Sequence, residues 1–146
     1  VESSPYFFSG YGYIDCRLPS DEIKIGNNCY FNNNFSLVTR GANISIGDNC
    51  LFGTNFSILN SDFHDLDPNN RFSPVNIKSG NVDIEDNVFC GNDVKVYKGV
   101  KIGKNTIVAA GAVVVKSLPE NVIAAGNPAK VVKKLWIFIK HRFYHW

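Results

Sequence analysis

The chain has 146 residues, 45% hydrophobic and 19% charged, the balance of one globular domain and not of a disordered tract. Fifteen basic residues against thirteen acidic ones leave a net charge of +2, which argues against a chain-wide nucleic-acid footprint. No apolar run is long enough for a membrane-crossing helix, no cleavable signal peptide is visible, methionine is absent, and asparagine occurs 18 times, a turn-forming composition.

In chain order, residues 1–22 lack any repeat and carry Tyr6, Phe7, Phe8, Tyr11 and Tyr13, as expected of a cap over an open end. Residues 23–59 contain Ile25, Phe31 and Leu37, then Ile46, Phe52 and Ile58, two series spaced by six. A three-residue insertion near Arg40-Gly41-Ala42 separates them. Residues 60–81 break the period with Asp62, His64, Asp65, Asp67, Pro68, Arg71 and Pro74, and predict a loop excursion. From residue 82 the spacing resumes in Ile84, Cys90, Val96, Ile102, Val108 and Val114, with Val82, Val88, Val94 and Val100 two positions earlier. Residues 82–130 therefore read as continuous coils and a final turn, and residues 131–146 as a short C-terminal helix or arm.

A period of six fits neither the 3.6 of a helix nor the simple alternation of a long strand. It does fit short strands separated by regular corners, with Gly and Asn at turns that need positive φ. One coil cannot bury its own apolar face, so stacked coils must supply the core. Cys16, Cys29, Cys50 and Cys90 form no Cys-x-x-Cys pair. Cys29 and Cys50, each four residues after a repeated Ile, read as small buried hydrophobes at equivalent positions, in keeping with a reducing, cytoplasmic compartment.

The segment Val82–Lys133 resembles the hexapeptide-repeat acyltransferases. The resemblance rests on Gly99-Val100-Lys101-Ile102-Gly103, Ala109-Ala110-Gly111 and Ala125-Gly126-Asn127-Pro128-Ala129-Lys130, and extends upstream through Ile46-Gly47-Asp48-Asn49 to about residue 23. The subgroup it looks most like is that of the maltose/galactoside and capsular-polysaccharide O-acetyltransferases. This likeness implies an all-β, left-handed parallel β-helix and a homotrimer with active sites between neighbouring subunits. It also implies acetyl-CoA as co-substrate, a sugar or glycan acceptor, and no metal.

It further implies that His64, the only histidine outside the tail, is the general base. An imidazole titrates near neutrality, as removal of a hydroxyl proton requires. Asp62 and Asp65 are both candidates to orient its ring. Asn33 or Asn34 matches an asparagine near the acceptor, although the triplet Asn32-Asn33-Asn34 is equally a corner. Gly41 stands where sugar O-acetyltransferases carry an acceptor-binding aspartate, so galactoside or maltose specificity is not carried over. Arg71 is either a solvated loop arginine or a grip for an anionic sugar or sugar phosphate. Gly91, Asn92, Ala109, Ala110 and Gly111 match positions beside the pantetheine arm. Lys116, Lys130 and Lys133 match positions that meet the phosphates.

Three alternatives stand beside the O-acetyltransferase. An N-acetyltransferase of an amino sugar needs the same base. A non-catalytic β-helix scaffold needs none. A β-helix carbonic anhydrase needs three converging histidines, which the repeat lacks. The tail from Trp136 to Trp146 mixes aromatic and basic residues, and is read as packed on its own trimer, resting on a membrane surface, or disordered.

Overall fold

The computed structural model describes residues 11–136, and the whole of this span is strand, turn or loop. The first coil contains β1 (Tyr13–Cys16), β2 (Ile23–Ile25) and β3 (Tyr30–Phe31), and the second β4 (Ser36–Thr39), β5 (Ile44–Ile46) and β6 (Leu51–Phe52). The third comprises β7 (Ser57–Leu59), the excursion, β8 (Val82–Ile84) and β9 (Phe89–Cys90). The fourth comprises β10 (Lys95–Tyr97), β11 (Lys101–Ile102) and β12 (Ile107–Val108). The fifth holds β13 (Val113–Val114), a single bridge at Leu118 and β14 (Val122–Ala125), and β15 (Lys130–Lys134) closes the stack.

Equivalent strands stack in parallel to make three faces of a prism, a left-handed parallel β-helix. The first face is β1-β4-β7-β10-β13, the second β2-β5-β8-β11, and the third β3-β6-β9-β12-β14-β15. The six-residue columns turn inward as expected. Leu37, Ile58, Val96 and Val114 line the first face, Ile46, Ile84 and Ile102 the second, and Phe52, Cys90 and Val108 the third, each at most 4% exposed. Phe31, Phe52 and Phe56 stack ring on ring in the lower coils, at centroid distances of 4.6 and 4.3 Å. Ile25 departs from the rule at 40% exposure, because it lies in the lowest coil.

Three residues after the inward side chains of the second and third faces the backbone enters the left-handed region. Asn28, Asn49, Asn87, Asn105 and Asn121 repeat this at one edge of the prism, and Asn34, Asn55 and Asp93 at another. Asn and Asp tolerate that conformation best among residues with a Cβ. Their side chains also bond along the stack: Asn87 Nδ2 donates to Asn105 Oδ1 at 2.9 Å, and Asn105 Nδ2 to Asn121 Oδ1 at 2.7 Å.

Part of the corner chemistry is corrected by the structure. Glycines directly after an inward residue are not held there by positive φ. At Gly91 a Cβ would meet the Ala110 amide nitrogen at 2.8 Å, so the next coil, passing close, excludes a side chain. At both ends the segments differ from a plain cap and arm. Tyr13–Cys16 is already a coil strand, paired with β4, and Lys130–Lys134 is a strand antiparallel to β14 and not a helix. Tyr6, Phe7, Phe8 and the tail from residue 137 lie outside the described residues.

Candidate active site

The prism has three edges, and the candidate residues fall mainly on two of them. The first edge joins the first and second faces. Here the chain leaves β7 at Asn60 and returns at Asn81. Asn60 is fully buried; its Nδ2 donates to Thr39 Oγ1 at 2.6 Å and its Oδ1 accepts from the Arg40 amide at 3.0 Å. The root of the excursion is then clipped. Ser61 bridges Ser79, the Asp62 amide donates to Lys78 O at 2.9 Å, and the Gly80 amide to Asn60 O at 2.9 Å.

His64 is exposed just above this clip. The two aspartates beside it do different work. Asp65 is 5% exposed and accepts the amides of Asp67, Asn76 and Val75 at 3.0, 3.0 and 3.3 Å. The Asp67 and Asn76 amides hold its carboxyl below the usual carboxylate range, against the opposing effect of burial. Its work is to organise the loop. Asp62 instead pairs through Oδ1 with Lys98, while its Oδ2 is buried and has no hydrogen-bond partner. Of the two carboxylates, Asp62 has the buried oxygen that no donor of the described residues reaches.

Arg71 is exposed and its Nη2 lies 3.5 Å from Leu66 O, within its own loop. Gly41, at the same edge, has its amide on Asp21 Oδ1 at 2.9 Å. A carboxylate from the coil below thus stands beside the position where the aspartate is missing. Sequence reading overlooked Asp21, Lys98 and the contact of Arg17 with Phe63. The signal for Asp21 is the 21-residue period of the lower coils, which sets Asn27 on Asp48 and brings Asp21 beside Gly41, one residue short of a full period.

The third edge joins the third face back to the first. Register places Asn33, Thr54, Asn92 and Ala110 in one column there, with Gly91 beside Ala109 and Asn34 in line with Gly111. Ala110 and Gly111 are exposed, and a Cβ on Gly111, at φ 76°, would meet nothing within 4 Å. This is a smooth ridge of exposed backbone. Beside Ala109, Ala110 and Gly111 an extended chain would meet no bulky side chain, which fits the shape of a pantetheine arm, while Asn55 and Asp93 continue the edge below. Asn92 has a structural duty as well, since its Oδ1 accepts the Thr54 amide at 2.8 Å. Asn34 is a left-handed corner residue at φ 62°, whereas Asn33 is half-buried.

The lysines do not form one cluster. Lys130 pairs with Ala125 near the third edge, Lys133 pairs with Ile123 across the third face, and Lys116 leaves β13 at the first edge. Likewise His64 and Asn33 stand on different edges, separated by a face of about five residues, roughly 15–20 Å. One chain does not bring them together. Among the described residues, no three His, Cys, Asp or Glu side chains converge on a metal position.

The chain contains the repeats of the bacterial transferase hexapeptide family over residues 81–116 and the hexapeptide repeat of succinyl-transferase over residues 43–59. It is 34% identical over 127 residues to the galactoside O-acetyltransferase of Escherichia coli, covering 84% of this chain and 59% of that one. An acetyltransferase of Vibrio cholerae, solved with acetyl coenzyme A, superposes with a TM-score of 0.71 at 30% identity, over 87% of this chain and 71% of that one. A shorter match, 50% over 52 residues, links 36% of the chain to 22% of a tetrahydropyridine-dicarboxylate N-acetyltransferase of Clostridium perfringens. The chain belongs to the hexapeptide-repeat acyltransferases. It spans about three fifths of the length of the curated relatives it matches along most of its own length, 61% and 59%.

Proposed function

We propose that the protein is an acetyl-CoA-dependent O-acetyltransferase acting on a sugar hydroxyl in the synthesis of a surface polysaccharide, with a cytoplasmic location. His64 takes the hydroxyl proton as the oxygen attacks the thioester carbonyl, the carbon–sulfur bond breaks, and coenzyme A leaves as the thiol with the proton. Such a base contributes about 10²–10⁴-fold in rate. Asp62 orients the ring and Asn33 holds the acceptor. The smooth third edge carries the pantetheine arm, with Lys130 near its end.

One observation carries this reading: the candidate base and the candidate coenzyme ridge occupy different edges of the same prism. They meet if the first edge of one subunit faces the third edge of the next, which is the head-to-tail contact of a ring. An outward ladder of Tyr30, Leu51 and Phe89 on the third face, 68%, 46% and 45% exposed, supports a homotrimer that covers it. All four cysteines are free thiols, which suits a reducing compartment.

A calorimetric titration with acetyl-CoA tests the coenzyme, because it needs no knowledge of the acceptor. Saturable binding by the parent protein, weakened in Lys130→Glu/Lys133→Glu, is expected. No binding to the folded parent would overturn the reading and favour a scaffold. The match to an N-acetyltransferase supports an amine as a second class of acceptor, read here as the amine of an amino sugar. A screen with neutral sugars, uronic acids and amino sugars separates the two.

A further inference from the structure

We propose that Lys98 is a positioning residue for His64, acting through Asp62, and that Arg17 steadies the same turn from the opposite end of the stack. The inference rests on the reading of His64 as general base. Lys98 follows β10, in the coil above the root of the excursion, and its ammonium meets Asp62 Oδ1. The two side chains are 38% and 16% exposed, so the pair is partly shielded. The Lys98 ammonium fixes the plane of the Asp62 carboxylate. The other carboxylate oxygen is left buried and without a donor. A buried acceptor without a partner is costly, and the imidazole two residues on carries an N–H to satisfy it.

The intervening residue is restrained as well. Phe63 sits at φ 59°, a left-handed conformation that a bulky side chain seldom adopts and that the surroundings must enforce. Its amide donates to Ser61 Oγ at 3.1 Å, and the Arg17 guanidinium lies 4.8 Å from the centre of its ring. Arg17 is itself aligned by Asp15, Nε to Oδ2 at 3.0 Å. The two residues before His64 are therefore tied to the first and fourth coils, and Asp65 after it is held by three backbone amides. The imidazole leaves a turn fixed on both sides. With Asp62 accepting from Nδ1–H, Nε2 is bare and outward, ready for the acceptor's proton. Such hydrogen bonds are often loose in unliganded enzymes and tighten when substrate binds.

The test is nitrogen NMR of the histidine rings of the full chain, with the His64 signal assigned by its loss in His64→Ala. The parent is expected to hold neutral His64 as the Nδ1–H tautomer. Lys98→Met should shift it toward the Nε2–H form, and Lys98→Arg should restore it. In transfer assays Lys98→Met should lower kcat about 10- to 100-fold with the acetyl-CoA KM unchanged, the size of a misplaced reacting group. It should cause no further loss in a His64→Ala background. Asp62→Asn, of the same shape, carries the same expectation should Lys98→Met not fold. An unchanged tautomer in Lys98→Met, or an additional loss on top of His64→Ala, would overturn the inference. Normal turnover by His64→Ala would instead sink the general-base reading, and a Lys98-dependent tautomer would still uphold the Lys98–Asp62–His64 linkage.

Discussion

Asp62 and Asp65 sit three residues apart, and their environments assign them different work. Asp65 is wrapped in backbone amides that lower its carboxyl, the Asp67 amide first. Because the folded carboxyl ionises more readily than the unfolded one, its stabilisation is complete above about pH 4 and is lost as pH falls through the lowered value. Amide exchange at Val75 and Asn76 should therefore accelerate in acid beyond its intrinsic rate. Asp65→Asn should abolish that extra acceleration, and an identical profile in parent and variant would contradict the role. The thiols give a second residue-scale check. Burial pushes Cys50 up to about 11 and raises Cys90 further, while Cys16 is exposed. A maleimide at pH 7 should label Cys16 at once, and Cys50 and Cys90 only on unfolding. Rapid labelling of Cys50 or Cys90 in the folded protein would contradict their packing. At this scale the sequence pointed to His64 and its two neighbouring carboxylates but did not choose between them. The choice depends on Lys98, 36 residues away, and no local pattern announces that contact.

At the scale of the element, the six-residue period carried most of the information. It located the inward columns because each corner resets the strand alternation in the same phase. Val96 is 1% exposed between Ile58 below and Val114 above. Val96→Asp should abolish cooperative folding, since an unpaired charge has no partner in that column. A soluble variant with a cooperative melt would mean that the register is wrong. Ile102→Ala, a milder truncation in the next column, should cost about 2–5 kcal/mol in chemical denaturation. The antiparallel pairing of β15 escaped sequence reading because Lys-Val-Val-Lys-Lys suits a helix end and a strand alike. The glycines after inward residues were legible as corner residues but for another reason than the right one, since what excludes a side chain there is the adjacent coil and not φ.

For the whole molecule, what decides is that the candidate base and the candidate coenzyme ridge lie on two edges. Sequence alone could name His64 and Ala110 but could not tell that a face of the prism lies between them, because the edge a residue occupies emerges only once the coils are wound. In the proposed assembly, His64 of one subunit works with the third edge of the next. Two variants test it directly. His64→Ala removes the base, and Ala110→Trp obstructs the exposed ridge without touching the core. Each alone should lower transfer at least about a hundredfold. The two, co-expressed at equal levels with different tags and purified as mixed assemblies, should recover roughly a third of the parent activity, because every mixed trimer of a head-to-tail ring rebuilds one intact site out of three. If each site lay within one subunit, every copy would carry a defect, and the mixed assemblies would be as inactive as either variant alone.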